Sequence, residues 1–192
     1  MMRLFVALEL PEAVRERLAM LQSGVPGARW VAQENLHLTV RFLGEIDNGL
    51  AHDLDAELAR IDAPAFRFGL SGVDFFGPER KPQVLWAGVD RVEPLQFLHA
   101  KVNRAAVAAG LPADDRKFHP HVTLARLRDT PMRRVRDWLG GNTLFQAGPV
   151  EADRFVLFRS HLGKEGPVYE PLCSYYLRIQ GATSRFNSRP HS

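Results

Sequence analysis

The chain has 192 residues, 45% of them apolar and 24% charged, the balance of one soluble globular domain rather than a disordered chain, a collagen-like repeat or a coiled coil. Its longest apolar runs, 4–8 and 84–89, are far shorter than the roughly 18 residues of a membrane span, and Glu9, Pro11 and Glu12 interrupt any signal-peptide core. A single cysteine, Cys173, forms neither an internal disulfide nor a zinc site alone, which suits a reducing cytoplasm, and a net charge of +3 admits an anionic partner without requiring one.

Residues 3–10 read as a short strand, and Pro11, favoured at helix starts, opens an amphipathic helix to about residue 23 carrying Val14, Leu18 and Leu21. After a breaker at 24–27, residues 29–31 and 36–43 read as strands. In the second, Leu36, Leu38, Val40 and Phe42 form an apolar face, and His37, Thr39, Arg41 and Leu43 alternate with them. A helix is predicted over 50–61 and a strand over 66–76, with Gly77-Pro78 opening a charged loop to Pro82. The order then recurs as strand 84–89, helix 94–109, strand 122–127, a short helix at 132–139 and strand 152–160. A last strand, 169–179, is expected to close the second sheet, and 181–192, rich in Ser, Arg, Asn and Pro, reads as a flexible tail.

Two His-x-Thr triplets, His37-Leu38-Thr39 and His121-Val122-Thr123, lie 84 residues apart, and the same shift carries the 66–76 strand onto 150–160. This registration predicts an α+β fold with pseudo-twofold symmetry. One two-lobed domain would span 1–180, built from approximate halves 3–79 and 84–160, with two antiparallel sheets flanking a central cleft and helices outside.

Alternation along a strand sends His37 and Thr39 to one face and Leu38 and Val40 to the other, and separates His121 and Thr123 from Val122 and Leu124 in the same way. Symmetry then sets the two pairs face to face. Two imidazoles, ordinarily titrating at about 6.5, supply one group that takes a proton and one that gives it at neutral pH. The threonine hydroxyls donate to non-bridging phosphate oxygens, so the set suits displacement at a phosphodiester and demands no metal. A lone His-x-Thr on a strand is commonplace; two in matching positions of a repeated element order point to function.

The segments Arg3-Leu4-Phe5-Val6-Ala7, Asn35-Leu36-His37-Leu38-Thr39-Val40-Arg41-Phe42-Leu43-Gly44 and Phe118-His119-Pro120-His121-Val122-Thr123-Leu124-Ala125-Arg126 resemble the two-histidine phosphoesterases. Within them the chain is similar to the bacterial and archaeal RNA 2′,3′-cyclic phosphodiesterases, first described as 2′-5′ RNA ligases. The resemblance covers residues 1–180 and implies a bilobal fold with a water-filled cleft and one His-x-Thr on each side. It also implies metal-independent opening of a 2′,3′-cyclic phosphate at an RNA or nucleotide end to the 2′-phosphate. The 3′ oxygen then leaves, with His37 as proton donor and His121 as proton acceptor. Thr39 and Thr123 orient the phosphate, and Arg126, matching the arginine that closes the family's second motif, holds it. The expected partners are RNA with 2′,3′-cyclic phosphate ends or cyclic nucleotides, met by a cytoplasmic monomer with no membrane attachment and no cofactor. RNA 2′-5′ ligation is the same ring opening with a 5′-hydroxyl in place of water, and it is reversible. A module that binds RNA or nucleotide ends without turnover is the alternative reading of the same side chains.

Strict alternation sets Arg126 with Val122 and Leu124, away from His121, unless the strand ends or bulges there. Phe42 likewise falls on the apolar face and is expected in the core. Trp30 is expected to pack there too, although a nucleobase can stack on such a ring. His119 can begin a metal site with His121, but no third ligand follows at a suitable spacing, and Pro120 is read as aiming His121. His52, His99 and His161 are read as surface residues, and Cys173 as a buried structural thiol. Arg126, Arg128, Arg133, Arg134 and Arg136, with Arg80-Lys81, leave two readings open, a solvated helix face or an RNA-backbone contact. No motif for sequence-specific RNA binding and no glycine-rich phosphate loop is present.

Overall fold

Apolar residues recur at strand or helix spacing along almost the whole chain, and in a computed structural model, which describes residues 1–164 and 166–179, each such run becomes an element. The order is β1 (Met2–Glu9), α1 (Glu12–Ala19), β2 (Ala28–Trp30), a 3-10 turn (Gln33–Asn35), β3 (His37–Ile46), α2 (Asn48–Ala59), β4 (Phe66–Phe76), β5 (Val84–Val89), α3 (Glu93–Ala108), β6 (Val122–Leu127), α4 (Met132–Asn142), β7 (Gln146–Ala152), β8 (Arg154–Gly163) and β9 (Gly166–Tyr176). The predicted tail, 181–192, lies outside the described residues. Asp47 caps α2 by accepting the Leu50 N–H at 2.9 Å. Helix α3 buries Leu95, Leu98, Val102, Ala105 and Ala106, the three-and-four spacing of a single stripe. No described helix is long and apolar enough to cross a membrane.

The α+β class is as predicted, with all strand pairs of the sheet antiparallel. The two expected sheets are halves of one nine-stranded sheet. Its order is β7-β4-β5-β6-β3-β1-β8-β9, with β2 added on β6. The halves meet at one pair, Leu38 with Val122. Beyond it β3 and β6 part, and β2 takes the vacated edge of β6, because Arg126 already pairs with Val84 of β5 on its other side.

Strand β4, from the first half of the sequence, pairs with β5, and β8, from the second half, pairs with β1. The last strand was expected to close the second sheet; it pairs instead with β8 and ends the half that carries His37. Strand β7 was not predicted, because Gly148 and Pro149 interrupt its pattern and only Val150 and Ala152 are fully buried.

Leu4, Val6 and Leu8 of β1, Leu38 and Val40 of β3, and Val122 and Leu124 of β6 join the buried stripes of all four helices in one core on one side of the sheet. Each such leucine contributes about 1.5–3 kcal/mol by leaving water. On the opposite, open face, Phe5, Ala7, Val156 and Phe158 form a smaller cluster with Tyr169 against it.

Candidate active site

Alternation within β3 and β6 places the two triplets on the open face, and the Leu38–Val122 pair sets their relation. Continuing that antiparallel register puts His37 beside Thr123 and Thr39 beside His121. The four predicted residues are thus one quartet across the seam of the sheet.

A bulge follows each triplet. β3 shifts register against β1 between the pairs Val6–Arg41 and Ala7–Thr39, and Val40 and Arg41 are both buried. β6 shifts against β5 between Leu85–Ala125 and Trp86–Thr123, and Leu124 and Ala125 are both buried. The extra residue inverts the parity of what comes after it. Arg126 therefore emerges exposed on the open face with His121, the exception that strict alternation allowed for. Phe42 was expected in the core and instead lies 59% exposed on the open face, while Arg41 takes its place inside at 5%. Phe42 and Arg126 are themselves 84 residues apart and stand at opposite ends of the quartet.

Each histidine is held in the same way. His37 Nδ1 meets the Asn35 carbonyl at 2.6 Å, and His121 Nδ1 meets the His119 carbonyl at 2.7 Å. A carbonyl only accepts, so Nδ1 carries the proton and Nε2 is the working nitrogen in both neutral rings. His37 Nε2 lies 2.9 Å from Thr39 Oγ1, which donates to it in that tautomer.

The rings lean on aromatic walls. His37 packs against Phe5 at 5.0 Å and edge-on to Tyr169 at 5.2 Å; His121 packs edge-on to Phe76 at 4.9 Å and beside Trp86 at 5.9 Å. This desolvation is the main reason both imidazoles have pKa values below their ordinary 6.5. The carbonyl bonds oppose the shift. The charge of His121 depresses His37 further, and the charges of His119 and Arg126 depress His121. Burial raises the Tyr169 phenol, and the charge of Arg126 acts on it in the opposite sense.

Phe5, Phe76, Trp86 and Tyr169 were not singled out in the sequence. Trp86 was detectable, since it shares strand parity with Val84 rather than with the core residues Leu85 and Ala87. Trp30 packs inward, 6.3 Å from Trp138, as expected. His99, expected on the surface, is half-buried and stacked on Phe118 at 4.3 Å, because α3 presses it against the segment leading to β6. His161 pairs with Glu170 at 2.6 Å, and His52 is exposed. Cys173 is half-buried at the rim of the core rather than fully buried. Among the described residues no three His, Cys, Asp or Glu side chains cluster as metal ligands. Arg133, Arg134 and Arg136 lie on α4, whose Trp138 packs on the core side, so the basic run is divided between the two faces of the sheet.

The family model of LigT-like phosphoesterases matches the chain over residues 8–86 and 89–169. An RNA 2′,3′-cyclic phosphodiesterase of Thermus thermophilus is 41% identical over 92% of this chain and 91% of its own length. One from Thermotoga maritima is 30% identical over 96% of this chain and all of its own. Among solved structures, a Thermus thermophilus protein superposes with a TM-score of 0.74 at 34% identity, covering 93% of this chain and all of that one. Escherichia coli LigT complexed with 3′-AMP gives 0.72 at 28% identity, covering 92% and 98%.

Proposed function

Because the chain belongs to the LigT-like phosphoesterase family, we propose that it hydrolyses 2′,3′-cyclic phosphate ends of RNA or nucleotides to the 2′-phosphate, in the cytoplasm and without a metal. The observation that carries this reading is the pair of imidazoles across the seam, each fixed through Nδ1, which leaves Nε2 to handle a proton, at His37 beside the Thr39 hydroxyl. The relatives named RNA 2′,3′-cyclic phosphodiesterase support the substrate class.

His121 Nε2, which has no hydrogen-bond partner among the described residues, takes the proton from the attacking water. The water oxygen bonds to phosphorus as the P–O3′ bond breaks, and His37, protonated on Nε2, delivers its proton to O3′. Opposed placement of the two rings suits the in-line path of such a displacement. Thr39 and Thr123 donate to the non-bridging oxygens, and Arg126 neutralises their charge from the end of β6.

An oligoribonucleotide ending in a 2′,3′-cyclic phosphate, incubated with the protein in excess EDTA, is expected to yield the 2′-phosphate alone. A 3′-phosphate product would overturn the assignment of O3′ as leaving group. Turnover only after a divalent metal is added would overturn the metal-free mechanism, and binding without turnover would make the quartet a recognition module.

The depressed pKa values predict a pH profile. Below the His121 pKa the base is protonated and kcat/KM falls; above the His37 pKa the acid is lost and kcat/KM falls again. Both limbs reflect the free enzyme, where both pKa values lie under 6.5, so the bell is centred on the acid side of that value. A bound phosphate anion favours imidazolium and moves the kcat bell upward. A kcat/KM optimum above pH 7 would contradict this account.

A further inference from the structure

We propose that Arg29 binds the phosphodiester on the 5′ side of the terminal nucleotide and so favours RNA chains over mononucleotide cyclic phosphates. The inference rests on the cyclic-phosphate reading of the cleft. Arg29 is the middle residue of β2, the short strand that fills the notch where β3 and β6 part. It pairs directly with Arg126, which pairs on its other side with Val84. Directly paired residues project to the same side with Cα atoms about 4.5–5.5 Å apart, so the two arginines stand side by side on the open face. Trp30, the next residue, turns the opposite way against Trp138, as alternation requires.

Like charges set directly opposite on paired strands repel. Yet among the described residues neither Arg29 nor Arg126 has a carboxylate within salt-bridge distance or any side-chain hydrogen bond. Some exposed arginines of this chain have carboxylate partners, Arg136 with Glu79 and Arg154 with Glu9. Two adjacent, exposed, uncompensated guanidinium groups beside the quartet form a site for more than one anionic group.

Their position also matches the direction of the substrate. The register places Thr123 beside His37 and Arg126 beyond that end of the quartet, with Arg29 next to it. With His37 serving O3′, the ribose lies on the His37 side, and the chain continues from its O5′ toward the same end. The reacting phosphate meets the histidines and Arg126; the next phosphate, one nucleoside away, meets Arg29. A mononucleotide with a free 5′-hydroxyl has nothing to offer there.

The test compares adenosine 2′,3′-cyclic phosphate with the dinucleotide ApA bearing a 2′,3′-cyclic phosphate, using wild type, Arg29→Ala and Arg134→Ala. Arg134 is exposed on α4, on the core side of the sheet, and removes the same charge far from the cleft. Arg29→Ala is expected to lower kcat/KM about 10-fold on the dinucleotide and less than about 2-fold on the mononucleotide, and to reduce the salt slope for the dinucleotide by about 0.7. Arg134→Ala should change neither. Equal losses on both substrates would overturn the inference by making Arg29 part of the reacting site or of the fold, and no loss on either would show that it does not touch RNA. A wild-type protein that opens neither cyclic phosphate would instead overturn the reading of the cleft itself.

Discussion

His37→Ala and His121→Ala are each expected to slow the opening of a cyclic-phosphate end by about 10²–10⁴-fold, the range spanned by a positioned general acid or base. Both variants should keep a melting temperature close to that of the wild type. The two rings lie on the open face of the sheet, while Leu38 and Val122, between the motif residues, carry the core at 0% exposure. Each variant loses one Nδ1 bond to a carbonyl, and His37→Ala also the bond to Thr39, each worth about 1 kcal/mol. Thr39→Ala and Thr123→Ala should be milder, each removing one bond to a charged oxygen worth about 1.5–3 kcal/mol. Single-turnover rates alongside thermal melts decide the matter. A histidine variant that turns over at the wild-type rate would end the two-histidine mechanism.

Arg41→Ala should cost the fold about 3 kcal/mol, for reasons that begin with the bulge. Parity inversion drives this guanidinium into the core, where Nη1 donates to the Asn103 carbonyl at 3.0 Å and Nη2 to the Pro112 carbonyl at 2.6 Å. It thereby ties β3 to helix α3 and to the segment that delivers His119, Pro120 and His121 into β6. Asp114 lies close enough for its charge to favour the buried cation. That carboxyl is itself held down to about 2, chiefly by its bond to Arg116. Truncation removes both bonds and leaves a cavity where the buried stem packed. For a domain of this size a loss of about 3 kcal/mol lowers Tm by about 6–12 °C. Arg41→Met restores the stem but not the donors, so its melt separates the two contributions. A loss below about 1 kcal/mol for Arg41→Ala would mean that the tether is not a stabilising one.

The quartet was legible because it depends on two facts that sequence carries well: side-chain parity within a strand and a repeated order of elements. Arg126, Phe42 and Arg41 were less legible because a bulge adds one residue without any distinctive residue type. Val40-Arg41 and Leu124-Ala125 look like two steps of ordinary alternation, and only pairing with β1 and β5 reveals the insertion. The one signal available was the recurrence of the 84-residue spacing between Phe42 and Arg126, which marks them as equivalent positions even though their chemistry differs. Partner choice was hidden for a related reason. Periodicity states which face of β9 is buried, not that its neighbour is β8, since pairing is fixed by long-range packing. Arg29 was invisible for both reasons, because its side follows from its register with Arg126 and its importance from the parting of β3 and β6.

The placement of β4 among strands from the second half, and of β8 among strands from the first, has a consequence for any attempt to divide the molecule. A fragment ending after β4 would carry a strand whose partners, β5 and β7, are on the missing piece, and would leave β1 with one edge bare. Unpaired edges of this kind are templates for another chain. Such a fragment completes its hydrogen bonding by lending β4 to a second copy and borrowing in return, a domain-swapped dimer with one histidine motif per subunit. A half-length ancestor would have met the same requirement, so fusion into one chain would have preserved an arrangement that began as an association between two.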